Sequence, residues 1–133
     1  MTEFPAIAHV AVTVSDLSRS VPWYRELIGT DPVLDEDTDA GFHHTVFLVG
    51  GTLLGLHGFP DGVPAGDAFE ERRLGLDHVA FGLPDRAALQ QWEKRLDELG
   101  VAHGGIVDAH YGSGLSFRDP DGIALEFFAP PAG

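Results

Sequence analysis

Four side chains in this sequence have types and spacing suited to holding a metal ion or moving a proton: His9, His57, His78 and Glu126. His9 and His78 sit in two copies of one phrase, Ile7-Ala8-His9-Val10-Ala11-Val12 and Leu76-Asp77-His78-Val79-Ala80-Phe81, 69 residues apart. The same offset pairs Asp16 with Asp85 and Trp23 with Trp92, so the chain reads as a duplicated supersecondary unit. Glu126 lies in the apolar run Ile123-Ala124-Leu125-Glu126-Phe127-Phe128, where a carboxylate buried alone is costly and calls for a cation or hydrogen-bond donors. Two neutral imidazoles and one carboxylate are ligands for iron, zinc, nickel, cobalt or manganese, and they leave open positions for a substrate. The chain has no cysteine, so imidazole and carboxylate must carry any metal site. A single histidine of this kind reads as an ordinary packed residue. Two at duplicated positions, with a carboxylate closing the second copy, favour one divalent ion held by His9, His78 and Glu126.

The elements that must position these groups follow from periodicity and turn chemistry. Residues 7–14 read as a buried strand, rich in β-branched side chains. Ser15-Asp16-Leu17-Ser18 offers helix caps and Gly29 a stop; with Ser18 as the cap, Pro22 falls in the first turn and need not break the helix. Strands are expected over 32–37, 43–49 and 52–57, the last two joined at Gly50-Gly51. Residues 59–73, rich in Gly, Pro and charge, read as a linker, with room for a short helical turn. The second copy repeats the order: a strand over 76–83, a helix capped by Asp85 with Leu89, Trp92, Leu96 and Leu99 on one face, then strands near 101–107, 114–118 and 123–128. Asp119-Pro120-Asp121-Gly122 is a strong turn signal between the last two. Tyr111-Gly112-Ser113-Gly114 reads as either a mobile rim or a hairpin connection. The expected fold class is α+β. Two tandem βαβββ modules, 5–58 and 75–130, joined by a linker over 59–74, make a single domain over 1–133: a curved, open mixed barrel or cup with its helices outside.

Strand parity decides which side chains line that cup. Val10, Val12 and Val14 face the helix, leaving His9, Ala11 and Thr13 inward. Leu54 and Leu56 go out, with Leu53, Gly55 and His57 in. Val79 and Phe81 go out, with His78, Ala80 and Gly82 in. Leu125 and Phe127 go out, with Ala124, Glu126 and Phe128 in. His57 is therefore either a fourth ligand or an acid/base, and the acid/base role is favoured. Of His43 and His44 only one can face inward, and parity does not say which. His103 and His110 lie near loops and read as solvent-exposed.

Composition excludes some partners. The 133 residues hold 8 Lys and Arg against 21 Asp and Glu, a formal charge of −13. Such a surface repels phosphate backbones and anionic headgroups, so neither nucleic acid nor membrane is an expected partner. The first residues lack a basic segment followed by an apolar run, and no apolar stretch approaches the roughly 20 residues that span a bilayer. A cytoplasmic location is expected.

Ala8-His9-Val10, Asp16-Leu17-Ser18-Arg19-Ser20, Trp23-Tyr24, Leu27-Ile28-Gly29, Asp77-His78-Val79-Ala80 and Arg118-Asp119-Pro120-Asp121-Gly122-Ile123-Ala124-Leu125-Glu126 together resemble the vicinal oxygen chelate superfamily. It includes glyoxalase I, extradiol dioxygenases and the fosfomycin and bleomycin resistance proteins. The resemblance covers essentially the whole chain and implies metal positions at His9, Gly55, His78 and Glu126. Gly55 has no side chain to offer, and Thr13 stands where glyoxalase I carries a basic residue. Ser116 stands where the extradiol dioxygenase pattern has a tyrosine, and His110 lies one residue closer than that pattern's histidine. Thr13, Gly55, Tyr111, Ser116 and Phe128 are the expected substrate contacts. The resemblance implies a divalent-metal enzyme acting on a small oxygen-bearing substrate, as a dioxygenase or as a glyoxalase-like lyase or isomerase, and a homodimer is expected. The competing reading is a metal-free protein that sequesters a planar ligand, as bleomycin-type resistance proteins do.

Overall fold

The computed structural model describes residues 2–132; Met1 and Gly133, the ends of the expected domain, lie outside the described residues. The chain divides into two compact units, Met1–Asp67 and Ala68–Gly133. In the first, β1 (His9–Thr13) leads into α1 (Leu17–Ile28), followed by β2 (Leu34–Asp37), β3 (His43–Val49) and β4 (Thr52–Gly58). The second repeats the order with β5 (Val79–Gly82), α2 (Arg86–Glu98), β6 (His103–Ala109), β7 (Gly112–Arg118) and β8 (Ala124–Ala129). The sheets run β1-β4-β3-β2 and β5-β8-β7-β6. In each, the first strand pairs parallel with the last while the remaining pairs are antiparallel. The expected α+β class and duplicated βαβββ order are both present.

Burial follows the parity expected from the sequence. In β1, Val12 is buried and His9, Ala11 and Thr13 are exposed, while β8 alternates with Leu125, Phe127 and Ala129 buried. The first unit's core gathers Val14, Tyr24, Leu27, Phe47, Leu54 and Leu56, and the second's gathers Leu89, Leu96, Leu115, Phe117, Leu125 and Phe127. The two equivalent tryptophans both reinforce aromatic packing. Trp23 lies edge-on to Tyr24 at 4.9 Å, and Trp92 stacks on Phe127 at 4.3 Å.

Local chemistry sets the element ends. Asp85 caps α2 by accepting from the Ala88 N–H at 2.9 Å, and Gly29 ends α1 in the left-handed region at φ 84°, a conformation that suits glycine. The cap of α1 is Asp16, not Ser18: its Oδ1 accepts from both the backbone N–H of Ser18 at 3.0 Å and the Ser18 hydroxyl at 2.6 Å. The helix thus begins two residues earlier than a Ser18 cap implies, and Pro22 falls in the second turn. It sits on the exposed side, where the lost backbone hydrogen bond is most easily replaced by water. Asp119, only 5 % exposed, folds the β7–β8 turn by accepting from the backbone N–H groups of Asp121 and Ile123 at 2.8 and 2.9 Å.

The segment over 59–74 contains turns and bends but no helical turn. Its last residues belong to the second unit, where Arg118 donates two hydrogen bonds to the Glu71 carboxylate at 3.0 and 3.1 Å and lies over the Phe69 ring. Residues 111–114 are the hairpin alternative: Ala109 pairs with Gly112 across a His110-Tyr111 turn. Gly112, at φ 145°, lies under Phe128, and a Cβ there would run into that ring and the Ala129 carbonyl.

Candidate functional site

The sheet register shows that positions 55 and 126 are equivalent. β1 sets Ala11 against Gly55, and β5 sets Ala80 against Glu126; Ala11 and Ala80 match in the two copies of the histidine phrase. Each unit therefore offers one histidine at the start of its first strand, His9 opening β1 and His78 immediately before β5, and one facing position on its last.

In the second unit both groups are present and close. His78 Nε2 lies 3.7 Å from Glu126 Oε2, with the two side chains 44 % and 21 % exposed. The Nδ1 of the same ring is hydrogen-bonded to Asp77 Oδ1 at 2.8 Å. A carboxylate on one ring nitrogen fixes the tautomer and orientation of the imidazole and leaves the other nitrogen as the donor atom. At 3.7 Å the Nε2 and Oε2 atoms are too far apart for a hydrogen bond, but two ligands at roughly 2.0–2.2 Å from one cation span such a distance at an open angle. The pair therefore fits a divalent metal by donor type and by separation. Glu126 also depends on a small neighbour: Gly114 lies opposite Phe128 on β7, and a Cβ there would stand 3.0 Å from Glu126 Oε1. Ser116 is the direct cross-strand partner of Glu126. At the turn end of this sheet Tyr111 lies nearly parallel to Phe128, centroids 6.4 Å apart.

The first unit places His9, Thr13 and His57 on one face. Thr13 is the direct partner of His57 across β1–β4, and His44 is its partner across β3–β4. Phe42 stacks on the His57 ring at 4.4 Å. Burial lowers the His57 pKa, and the neighbouring His44 and His9 lower it further, so His57 is a neutral imidazole at neutral pH. Of the adjacent histidines it is His44 that shares this face. His43 turns to the other, with Nε2 2.6 Å from Asp35 and Nδ1 2.9 Å from Asp37. Hydrogen bonds to those carboxylates, Asp35 first, raise the His43 pKa; Asp35 in turn is lowered by His43 and by the Thr45 hydroxyl.

Among the described residues no three His, Asp or Glu side chains already form a metal-holding group. The structure brings together His78 with Glu126, and His57 with Thr13 and Gly55, each within its own unit. Sequence reasoning missed Asp77 and Gly114. Adjacency to His78 was the available signal for Asp77, but none existed for Gly114. His103 is also not the exposed loop residue expected. Its side chain is 13 % exposed and bridges Asp97 and the Gly105 backbone N–H at 2.7 and 3.0 Å, tying α2 to β6. His110 is exposed, beside Tyr111 in the β6–β7 turn. A cleft of about 540 Å³ in the first unit opens beside the start of α1, lined by Asp16, Phe42, His43 and Phe59 among others, and holds none of the expected ligands.

Residues 6–127 match the model of the glyoxalase/bleomycin resistance protein/dioxygenase superfamily, and the chain belongs to that family. Among its relatives, the metallothiol transferase FosB of Staphylococcus saprophyticus is 27 % identical over 123 residues, covering 91 % of this chain and 74 % of the relative. Biphenyl-2,3-diol 1,2-dioxygenase 3 of Rhodococcus globerulus is 29 % identical over 140 residues, covering 98 % and 68 %. A glyoxylase/bleomycin resistance protein/dioxygenase domain from Frankia sp. EAN1pec superposes with a TM-score of 0.83 at 34 % identity, covering 98 % of this chain and 96 % of that one. The fosfomycin resistance protein FosX of Listeria monocytogenes shares the fold, with a TM-score of 0.72 at 18 % identity over 97 % of this chain and 96 % of its own. No helix among the described residues is long and apolar enough to cross a membrane.

Proposed function

We propose that the chain is a divalent-metal-dependent enzyme of this family, acting on a small molecule through neighbouring oxygen atoms, with His9, His78 and Glu126 as protein ligands. The observation that carries the reading is the His78–Glu126 pair. Asp77 holds His78 so that its Nε2 faces a carboxylate at 3.7 Å, an arrangement with two donor atoms and a gap between them. A bound divalent ion there supplies Lewis-acid polarisation of substrate oxygens. The named substrate of the Rhodococcus relative, biphenyl-2,3-diol, has two adjacent oxygens of this kind, and the staphylococcal relative is named as a metallothiol transferase.

The chain's own groups divide the remaining work. Asp77 fixes the His78 tautomer, and the hydroxyls of Thr13 and Ser116, opposite His57 and Glu126, offer hydrogen bonds to a polar substrate. Tyr111 and Phe128 provide an aromatic wall. His57, neutral at physiological pH, can accept a substrate proton or give its lone pair to the cation. The protein works as a homodimer in the cytoplasm under this proposal.

The test is metal content of protein purified without chelator, together with Glu126→Gln. The metal reading expects about one divalent ion per chain, and for the variant weaker metal binding and lost turnover with little change in melting temperature. A metal-free binding protein behaves oppositely: no metal co-purifies, and Glu126→Gln is neutral or stabilising because an uncompensated carboxylate has been removed.

A further inference from the structure

We infer that the cleft beside the start of α1 is a second binding site, one that takes a small organic ammonium cation with an apolar body. It is built from residues of the first unit alone and needs no metal. Its volume of about 540 Å³ is that of a small-molecule site. Among its lining residues, Leu17 packs directly on the bare backbone of Gly58, where a Cβ would stand 2.5 Å from Leu17 Cδ1. The β2–β3 connection contributes Thr38 and Phe42 and is held in shape, because the backbone N–H and the hydroxyl of Thr38 both donate to the Phe42 carbonyl at 2.8 Å. Phe42 and Phe59 bring two rings to the cleft, with centroids 5.4 Å apart at an angle of 40°. Phe42 is also stacked on His57, whereas Phe59 is 45 % exposed and leaves aromatic surface open to a ligand.

The polar groups of the cleft choose the sign of its ligand. The donors that could hold an anion are engaged: the Ser18 N–H at the start of α1 donates to Asp16, the Thr38 hydroxyl to Phe42, and both ring nitrogens of His43 are bonded to Asp35 and Asp37. Two carboxylates from different elements remain, Asp16 from the α1 cap and Asp37 from the end of β2. Hydrogen bonds from the Ser18 hydroxyl and backbone keep the Asp16 pKa low, so its charge is present throughout the neutral range. A proton on His43 is matched by Asp35 at 2.6 Å, which leaves the Asp16 and Asp37 charges in excess. Carboxylates beside open aromatic faces suit a cation, which the ring quadrupole and the charges attract together. The chain's formal charge of −13 raises the local concentration of such ligands. The apolar body would lie against Leu17, Pro60 and the two rings.

The test titrates benzyltrimethylammonium into the whole protein at constant ionic strength and follows backbone amide shifts by NMR. The amides of Thr38, Gly41, Phe42 and Phe59 should move together, with a dissociation constant on the order of millimolar, ordinary for a ligand of this size. Neutral benzyl alcohol and anionic phenylacetate at the same concentrations should move them little. Asp16→Asn removes one charge while keeping a competent helix cap, and Phe59→Leu keeps apolar area while removing the ring. Each should weaken binding about 2- to 5-fold. Glu26→Gln removes a charge ten residues along α1, about 15 Å away, and should bind as the parent does. If circular dichroism shows helix lost in Asp16→Asn, Asp37→Asn, whose amide oxygen still accepts from His43, is titrated with the same expectation. Benzyl alcohol or phenylacetate binding as well as the cation would show a cleft without charge selection and overturn the inference. Absence of any amide shift overturns it too, as does parent-like binding in both the carboxylate and Phe59 variants. An equal loss in Glu26→Gln would trace the attraction to the acidic surface at large and remove the site.

Discussion

Gly114→Ala isolates the geometry of the His78–Glu126 pair without touching a donor atom. An added Cβ would stand 3.0 Å from Glu126 Oε1 and 3.3 Å from its Cδ, where ordinary contact begins at 3.4 Å. The carboxylate must therefore move by about 0.4 Å, close to the roughly 0.5 Å within which a functional group has to be held. Because the neighbour is the end of a flexible, 21 % exposed side chain, the shift costs little stability. An off-rotamer Glu126 costs about 0.5–1.5 kcal/mol, offset by about 0.4–1 kcal/mol gained from a less flexible unfolded chain. The net change in unfolding free energy is expected within about 1 kcal/mol, whereas the affinity for Zn²⁺ or Ni²⁺ should fall about 10-fold, or about 1.4 kcal/mol. Urea unfolding and calorimetric metal titration of the same preparations measure the two effects separately. Gly104→Ala is the control, since a Cβ there meets nothing within 4 Å. Metal affinity unchanged in Gly114→Ala, or reduced equally in Gly104→Ala, would refute the argument that the bare β7 backbone seats the carboxylate.

The remaining predictions concern the first unit and follow from single groups. The His43 pKa is raised by Asp35 and Asp37, so its contribution to stability is full below the unfolded value near 6.5 and is lost as pH rises through the higher folded value. Unfolding measured from pH 5.5 to 8.5 should show that decline, and His43→Gln should flatten it; equal slopes in both proteins would dismiss the linkage. Ser20 is fully buried and its hydroxyl has no hydrogen-bond partner among the described residues. Ser20→Ala should therefore leave stability unchanged or raise it by about 1 kcal/mol; a loss of more than about 1 kcal/mol in urea unfolding would reveal a partner for that hydroxyl.

Much of this protein was determined locally. The duplicated βαβββ order follows from repeated phrases and strand periodicity. The strand faces of Val12, Leu54, Leu125 and Glu126 follow because side chains alternate strictly along a strand. Gly29, Asp85 and the Asp119 turn act within four residues of themselves, so their chemistry reads directly from the chain. Other features depend on which residues meet across strands. That His44 rather than His43 shares a face with His57, that His103 is tied to α2, and that Gly114 makes room for Glu126 all depend on the pairing of β3 with β4, α2 with β6 and β7 with β8. The place of the His57 ring, its Nε2 3.7 Å from where a Cβ of Gly55 would stand and its face against Phe42, is likewise decided by packing. Periodicity tells which way a side chain leaves the backbone; only tertiary packing decides where its terminal atoms come to rest, and donor atoms are terminal atoms.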